Sequence, residues 1–244
     1  GEERNKIIRN TSSIRLNNVE FKYDLHSPIY TLKGIDCVIP KGKVTAIVGS
    51  SGSGKTTILK LLLGYYPLQN GSIIIGEDEI SELNLKSWRN KCGVVMQDGV
   101  IFSESIERNI AVGDENIDYS KLNDAAKVAC IYDYIQSLPL KYNTRIGKDG
   151  FGLSQGQKQR ILIARAVYKN PDYIFMDEAT NSLDAQNERS IVENLDQFFK
   201  GKTVIIIAHR LSTVRNADQI LVLDKGRIVE VGNHASLTKI KGLY

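Results

Sequence analysis

Gly49-Ser50-Ser51-Gly52-Ser53-Gly54-Lys55-Thr56 follows the apolar run Val44-Thr45-Ala46-Ile47-Val48 and opens the helix-like stretch Thr57-Ile58-Leu59-Lys60-Leu61-Leu62-Leu63. Strand, glycine loop and helix thus stand in the order that phosphate binding requires. Glycine lets the backbone curl so that successive N–H groups converge on one phosphate, and the helix that follows aims the positive end of its dipole at the same point. Gly49, Ser50, Ser51, Gly52, Ser53, Gly54, Lys55, Thr56 and Thr57 are the expected nucleotide cradle, with Lys55 reaching the β and γ phosphates and the Thr56 hydroxyl holding Mg²⁺. No single part suffices: micromolar binding needs about 8 kcal/mol, and a helix terminus supplies at most about 2 kcal/mol. A glycine-serine turn that happens to precede Lys-Thr would leave both flanks unexplained.

Outward from this loop the periodicity changes in blocks. Val19, Phe21 and Tyr23 alternate with polar residues, as do Ile35, Cys37 and Ile39, which predicts two half-buried strands in an antiparallel lead-in. Ser72 to Ile75 and Gly93 to Met96 are short and β-rich. From about Glu104 to Asn170 the spacing is helical, with Ile106 and Ile110, then Leu122, Ala125, Ala126 and Ala129. Strand-like runs return at Tyr173 to Met176, Thr203 to Ile207 and Gln219 to Leu223, with a helix over Ala185 to Phe199. Asp224-Lys225-Gly226-Arg227 before Ile228, Val229 and Val231 predicts a hairpin. The expected fold is α/β: a phosphate-loop NTPase core with a mainly parallel sheet, an N-terminal antiparallel β subdomain and an inserted helical subdomain. Residues 1–244 are expected to form a single domain, with 10–97 and 171–244 as the core and its lead-in and 98–170 as the helical insert.

Composition narrows the functional classes. The net charge of +4 comes from 32 basic and 28 acidic residues without a dense Lys/Arg block, which gives a nucleic-acid role little electrostatic support. No window approaches the roughly 18 consecutive apolar residues of a membrane span. Cys37, Cys92 and Cys130 are odd in number and lack metal-ligand spacing, which argues for a reducing compartment and against a disulfide framework or a zinc site. Gly1-Glu2-Glu3-Arg4 has no apolar signal core and no initiator Met, and suggests a segment cut from a larger polypeptide.

Two further constellations carry chemistry. Ile174-Phe175-Met176-Asp177-Glu178 is an apolar strand ending in two carboxylates. Asp177 is placed to orient a magnesium shell, and Glu178, one residue on, to polarise an attacking water. Leu153-Ser154-Gln155-Gly156-Gln157 precedes the helical run Lys158 to Tyr168, and its Ser-x-x-Gln spacing forms a capping box.

With Lys158-Gln159-Arg160, that last stretch resembles the signature sequence of the ATP-binding-cassette ATPases. The remaining motifs stand in family order: the phosphate loop, Gln97, Asp177-Glu178, the Asn181-Ser182-Leu183-Asp184 loop, and His209 in Ala208-His209-Arg210-Leu211-Ser212-Thr213. The resemblance runs from about Ile14 to Leu243. It implies a head-to-tail dimer with a second copy of the domain, each ATP lying between the phosphate loop of one copy and Ser154, Gly156 and Gln157 of the other. Tyr23 would stack on adenine, although a plain strand tyrosine fits the same position. Gln97 would touch the metal shell and the attacking water, and His209 would hold the γ-phosphate. The implied cofactors are ATP and Mg²⁺, and the implied partner is a transmembrane domain of the same polypeptide, with this domain on the cytoplasmic face of the cell membrane.

Two positions depart from the family pattern. Gln155 stands where glycine is usual, and the Thr144-Arg145-Ile146-Gly147-Lys148-Asp149-Gly150 loop, which resembles an exporter-specific element, carries Lys148 where an acid is common. The Met96-Gln97-Asp98-Gly99-Val100-Ile101-Phe102-Ser103 stretch is similar to bacterial peptide and bacteriocin exporters, including those with a peptidase domain. Val100 to Phe102 are candidates for docking a transmembrane partner, with ordinary packing inside the helical lobe as the competing reading. A soluble cassette clamp is the alternative function; such relatives carry long coiled-coil insertions or a second cassette. A guanine-reading Asn-Lys-x-Asp tetrad is absent from the chain.

Overall fold

The apolar run before the glycine loop becomes a central strand of a sheet, and the run after it becomes a helix. The computed structural model describes residues 6–8, 10–177, 185–239 and 242. Along the chain run β1 (Ile14–Phe21), β2 (Leu32–Ile39), β3 (Val44–Gly49), α1 (Lys55–Leu62), β4 (Asn70–Ile75), β5 (Asp78–Glu79), α2 (Leu85–Asn90) and β6 (Cys92–Val95). Then follow α3 (Ile106–Ile110), α4 (Tyr119–Val128), α5 (Tyr132–Ser137), α6 (Gln155–Lys169), β7 (Tyr173–Asp177), α7 (Ala185–Phe198), β8 (Thr203–Ile207), α8 (Leu211–Asn216), β9 (Gln219–Asp224), β10 (Arg227–Gly232) and α9 (His234–Lys239). These elements gather into two compact units, one of residues up to 92 with 172–177 and those from 200 onward, the other of 93–171 with 185–199.

In the first unit the strands lie in the order β10-β9-β3-β8-β7. β3 runs parallel to β8 and β9, and β7 runs parallel to β8. Such strands are covered on both faces, which is why they read as unbroken apolar runs: Ile174, Phe175, Val204, Ile205 and Ile220 are all fully buried. The β9–β10 hairpin is antiparallel and turns through Lys225 and Gly226, whose φ of 48° and 81° are the two left-handed residues that a tight hairpin of right-twisted strands needs.

The lead-in forms a second, antiparallel sheet in the order β2-β1-β4-β5. Its register pairs Ile14 with Ile39 and Phe21 with Leu32. Asn18, at φ 44°, sits in an irregularity between Leu16 and Val19, so these two buried residues are three apart instead of two. The alternation expected to continue through Tyr23 stops at Phe21, where β1 ends.

The second unit is helical and centred on α6, which packs against α3 and α4 and buries Ile161, Leu162, Ile163 and Ala164. It is wider than the 98–170 insert read from periodicity, because it also takes α7: Asn194 donates from Nδ2 to the Val128 carbonyl at the end of α4 (3.1 Å). A side chain bonding to a distant helix end leaves no mark in periodicity.

Candidate nucleotide-binding site

At the end of β3 the chain turns through the glycine loop. The Ser53 N–H donates to the Ser50 carbonyl (3.2 Å), and the Gly226 N–H of the hairpin donates to the Ser53 carbonyl (3.0 Å), which props the loop from beneath. Gly54 precedes α1 at φ 103°, and a Cβ there would lie 2.6 Å from Leu32 Cδ2, so two requirements select glycine at this one position. No side chain caps α1. Ser50, Ser51, Gly52 and Thr56 are exposed along the rim. Ser53 is buried, only 2% exposed, and its hydroxyl has no hydrogen-bond partner. An orphaned hydroxyl inside a curl of backbone amides fits a phosphate-bearing ligand.

Lys55 lies back along the rim, with Nζ donating to the Gly49 carbonyl and, at 3.5 Å, to the Ser50 carbonyl. Its ammonium is held below the ordinary lysine range by partial burial, while the nearby Asp177 carboxylate pulls the other way. Asp177 closes β7 and is buried, 8% exposed. Two residues beyond β8, His209 brings its Nε2 to 3.3 Å from Asp177 Oδ1. Because β3, β8 and β7 are neighbours and parallel, Lys55, Asp177 and His209 gather at the same carboxyl edge of the sheet, where ligands of open α/β sheets bind.

Among the described residues no group of three or more His, Cys, Asp and Glu side chains could hold a metal ion. Mg²⁺ keeps waters and takes phosphate oxygens beside only one or two protein donors. The Thr56 hydroxyl and the Asp177 carboxylate are hard oxygen donors of the right kind.

Tyr23 stands past the end of β1, half-exposed. Its hydroxyl shares a 2.8 Å hydrogen bond with Thr57 Oγ1 in the first turn of α1. The ring stands edge-to-face against Phe21 (centroids 4.9 Å apart) and against Tyr66 (5.3 Å). Tyr66 was not among the residues expected from the sequence; the Tyr65-Tyr66-Pro67 cluster just after α1 was the available signal. Arg89 fixes this corner by donating to the Leu63 and Gly64 carbonyls (both 2.8 Å) and lying 5.0 Å from the Tyr65 ring centroid.

The second unit carries the remaining expected residues. Ser154 is the N-cap of α6: its hydroxyl accepts the Gln157 N–H (3.1 Å), and Gln157 Oε1 accepts the Ser154 N–H (2.9 Å), so the capping box is complete. Ser154 and Gln155 are exposed, and Gly156 is buried. Gln97 is exposed in the turn after β6 that the Gly99 N–H closes onto the Met96 carbonyl (3.1 Å). Val100 and Phe102 are exposed at 58% and 44%. Ile146 donates its N–H to the Glu104 carbonyl (2.9 Å), which leaves Lys148 and Asp149 at the surface. Glu178 and the Asn181-Ser182-Leu183-Asp184 loop lie outside the described residues.

The family model of the ABC transporters matches residues 32–181, more than half of the chain. The chain belongs to the ABC transporter family. An ATP-dependent lipid A-core flippase of Saccharophagus degradans is 48% identical over 231 residues, which are 95% of this chain and 39% of the flippase. An exotoxin translocation ATP-binding protein of Pasteurella aerogenes is 45% identical over 232 residues, 95% of this chain and 32% of that protein. The solved structure of a bacterial Atm1-family ABC exporter with ATP bound superposes with a TM-score of 0.91 at 40% identity, covering all of this chain and 42% of the exporter's. This ABC transporter chain therefore spans less than half the length of the relatives it matches, and it has their α/β ATPase fold, with an antiparallel N-terminal sheet, a mainly parallel sheet and a helical unit. No helix among the described residues is long and apolar enough to cross a membrane.

Proposed function

We propose that this chain is the Mg²⁺-dependent ATPase domain of a membrane exporter, working as a head-to-tail dimer at the cytoplasmic face of the membrane and driving a transmembrane domain of the same polypeptide. The observation that carries the reading is the joint placement of Lys55, Thr56, Asp177 and His209 at one edge of the parallel sheet, beside an open glycine loop with an unpartnered Ser53 hydroxyl. A chain 48% identical to an ATP-dependent flippase over nearly its whole length supports the reaction class, and the exporter relatives support the transport role.

In this reading the amides of Ser50 to Thr56 cradle the phosphates, with the Thr57 hydroxyl beside them. Lys55 exchanges two backbone carbonyls for β- and γ-phosphate oxygens. Thr56, Asp177 and Gln97 are the residues that would hold Mg²⁺, which when bound would supply charge neutralisation at the phosphates. Glu178 polarises the attacking water. His209, already turned toward Asp177, holds the γ-phosphate. Tyr23 offers its ring to adenine. From the partner copy, Ser154, Gly156 and Gln157 close over the γ-phosphate; a hydroxyl that accepts a bond in its own cap still has its proton to donate.

A peptide is the cargo class we assign, on the Met96 to Ser103 stretch and on the likeness to an exotoxin translocation protein; the flippase, at higher identity, favours a lipid. Cargo is chosen by parts outside the ATPase domain, so transport assays on the full polypeptide decide between the two. For the ATPase itself the test is phosphate release from ATP by this chain with and without Mg²⁺. Magnesium-dependent release that disappears in Lys55→Ala supports the assignment, and a rate unaffected by that substitution contradicts it.

A further inference from the structure

Arg165 lies on α6 about three turns beyond Ser154 and is half-buried. Its guanidinium makes two bonds to one residue: Nε donates to the Asn109 carbonyl (2.8 Å) and Nη2 to Asn109 Oδ1 (3.3 Å). Asn109, on α3, is completely buried. Its carboxamide grips the surface loop before it, with Oδ1 accepting the Phe102 N–H (2.8 Å) and Nδ2 donating to the carbonyls of Phe102 and Ser105 (both 3.0 Å). The guanidinium also lies 5.2 Å from the centroid of the Phe102 ring. A buried amide with its donors and acceptor engaged holds one rotamer, so the chain of contacts from α6 to the Phe102 backbone has no loose joint. One end of this chain is an exposed apolar loop, and the other is the helix whose first turn carries Ser154.

We propose that Arg165 is a positioning residue that locks the exposed loop from Val100 to Ser105 onto α6, so that the loop and the Ser154 cap respond together when nucleotide closes the dimer. The proposal rests on the dimer reading above. A second tie, the backbone bonds of Thr144 and Ile146 to Ile106 and Glu104, does not involve Arg165 and survives its replacement. Lysine at this position keeps the charge, but its single ammonium cannot reproduce a planar fork that spans a carbonyl and a carboxamide oxygen while stacking on a ring.

The test is amide hydrogen exchange on this chain in the Glu178→Gln background, with and without MgATP, in the parent and in Arg165→Lys. The parent should slow at Ser154 to Lys158 and, by about threefold or more, at Phe102 to Ser105. In Arg165→Lys the slowing at Ser154 to Lys158 should persist while the nucleotide-dependent slowing at Phe102 to Ser105 disappears. A merely structural role would raise loop exchange equally with and without nucleotide, leaving the ATP-induced ratio unchanged, and that result overturns the proposal. Arg165→Met, which keeps bulk and removes the donors, gives the same reading if the lysine variant loses its cooperative thermal transition. If MgATP leaves Ser154 to Lys158 unchanged in the parent, the dimer reading itself fails and takes the proposal with it. A response at Ser154 without one at Phe102 overturns the proposal alone.

Discussion

Two helices of this protein present their N-termini for phosphate chemistry, and they begin in opposite ways. α1 starts after Gly54, a residue with no side chain to offer, in a left-handed conformation that leaves the first-turn amides without a side-chain cap. α6 starts after Ser154, whose side chain and that of Gln157 already satisfy two of the orphan donors reciprocally. The first start is built for an anion to complete it, and the second is stable by itself. Under the proposed function, the difference assigns α1 the primary binding role and leaves α6 to act when a second copy brings a phosphate to the serine.

The largest expected effect breaks the comparison at its chemical step. Glu178→Gln should slow turnover by roughly 10²- to 10⁴-fold while ATP still binds, because only the help given to the attacking water is removed. Phosphate release at the parent rate would take Glu178 out of that role. Next, Lys55→Ala should weaken nucleotide binding by about 10- to 100-fold, the equivalent of a lost charge-assisted hydrogen bond of roughly 1.5–3 kcal/mol. An unchanged dissociation constant in calorimetry would contradict the primary role of the α1 start.

The α6 start should respond differently. Ser154→Arg in the Glu178→Gln background should abolish the ATP-dependent doubling of mass seen by light scattering and leave monomer binding intact; a normal dimer would contradict the cross-subunit role. Ser154→Ala isolates the capping contribution, with an expected loss of about 1 kcal/mol and a fall in Tm of about 2–4 °C. The smallest effect lies at the base. Tyr23→Ala should weaken ATP binding by about 2- to 10-fold, the value of one aromatic stack, whereas Tyr23→Phe should match the parent, since the hydroxyl bonds Thr57 and the ring face does the stacking. Equal losses in both variants would move the function of Tyr23 from its ring to its hydroxyl.

What could be read in advance follows the same division. The glycine loop, the strand before it and the Ser154–Gln157 box are local patterns, and each formed where its spacing places it. The parallel strands were legible because burial on both faces writes an unbroken apolar run into β7, β8 and β9. Contacts between distant segments were not legible. The meeting of His209 with Asp177, 32 residues apart, depends on two strands being neighbours. Tyr66 against Tyr23 and Arg165 against Asn109 likewise pair residues whose own surroundings in the sequence give no hint of a partner. Val19 and Phe21 are buried as their alternation predicts, whereas the bulge at Asn18 puts Ile14 and Leu16 in the opposite phase, so the first half of β1 did not join that pattern.

The most direct measurement is a crystal structure of Glu178→Gln grown with Mg²⁺ and ATP. The account predicts two copies facing each other, with Ser154 Oγ and the Gly156 N–H of one at hydrogen-bond distance from the γ-phosphate held by Lys55 of the other. A dimer in which Ser154 faces solvent, away from any terminal phosphate, would contradict it.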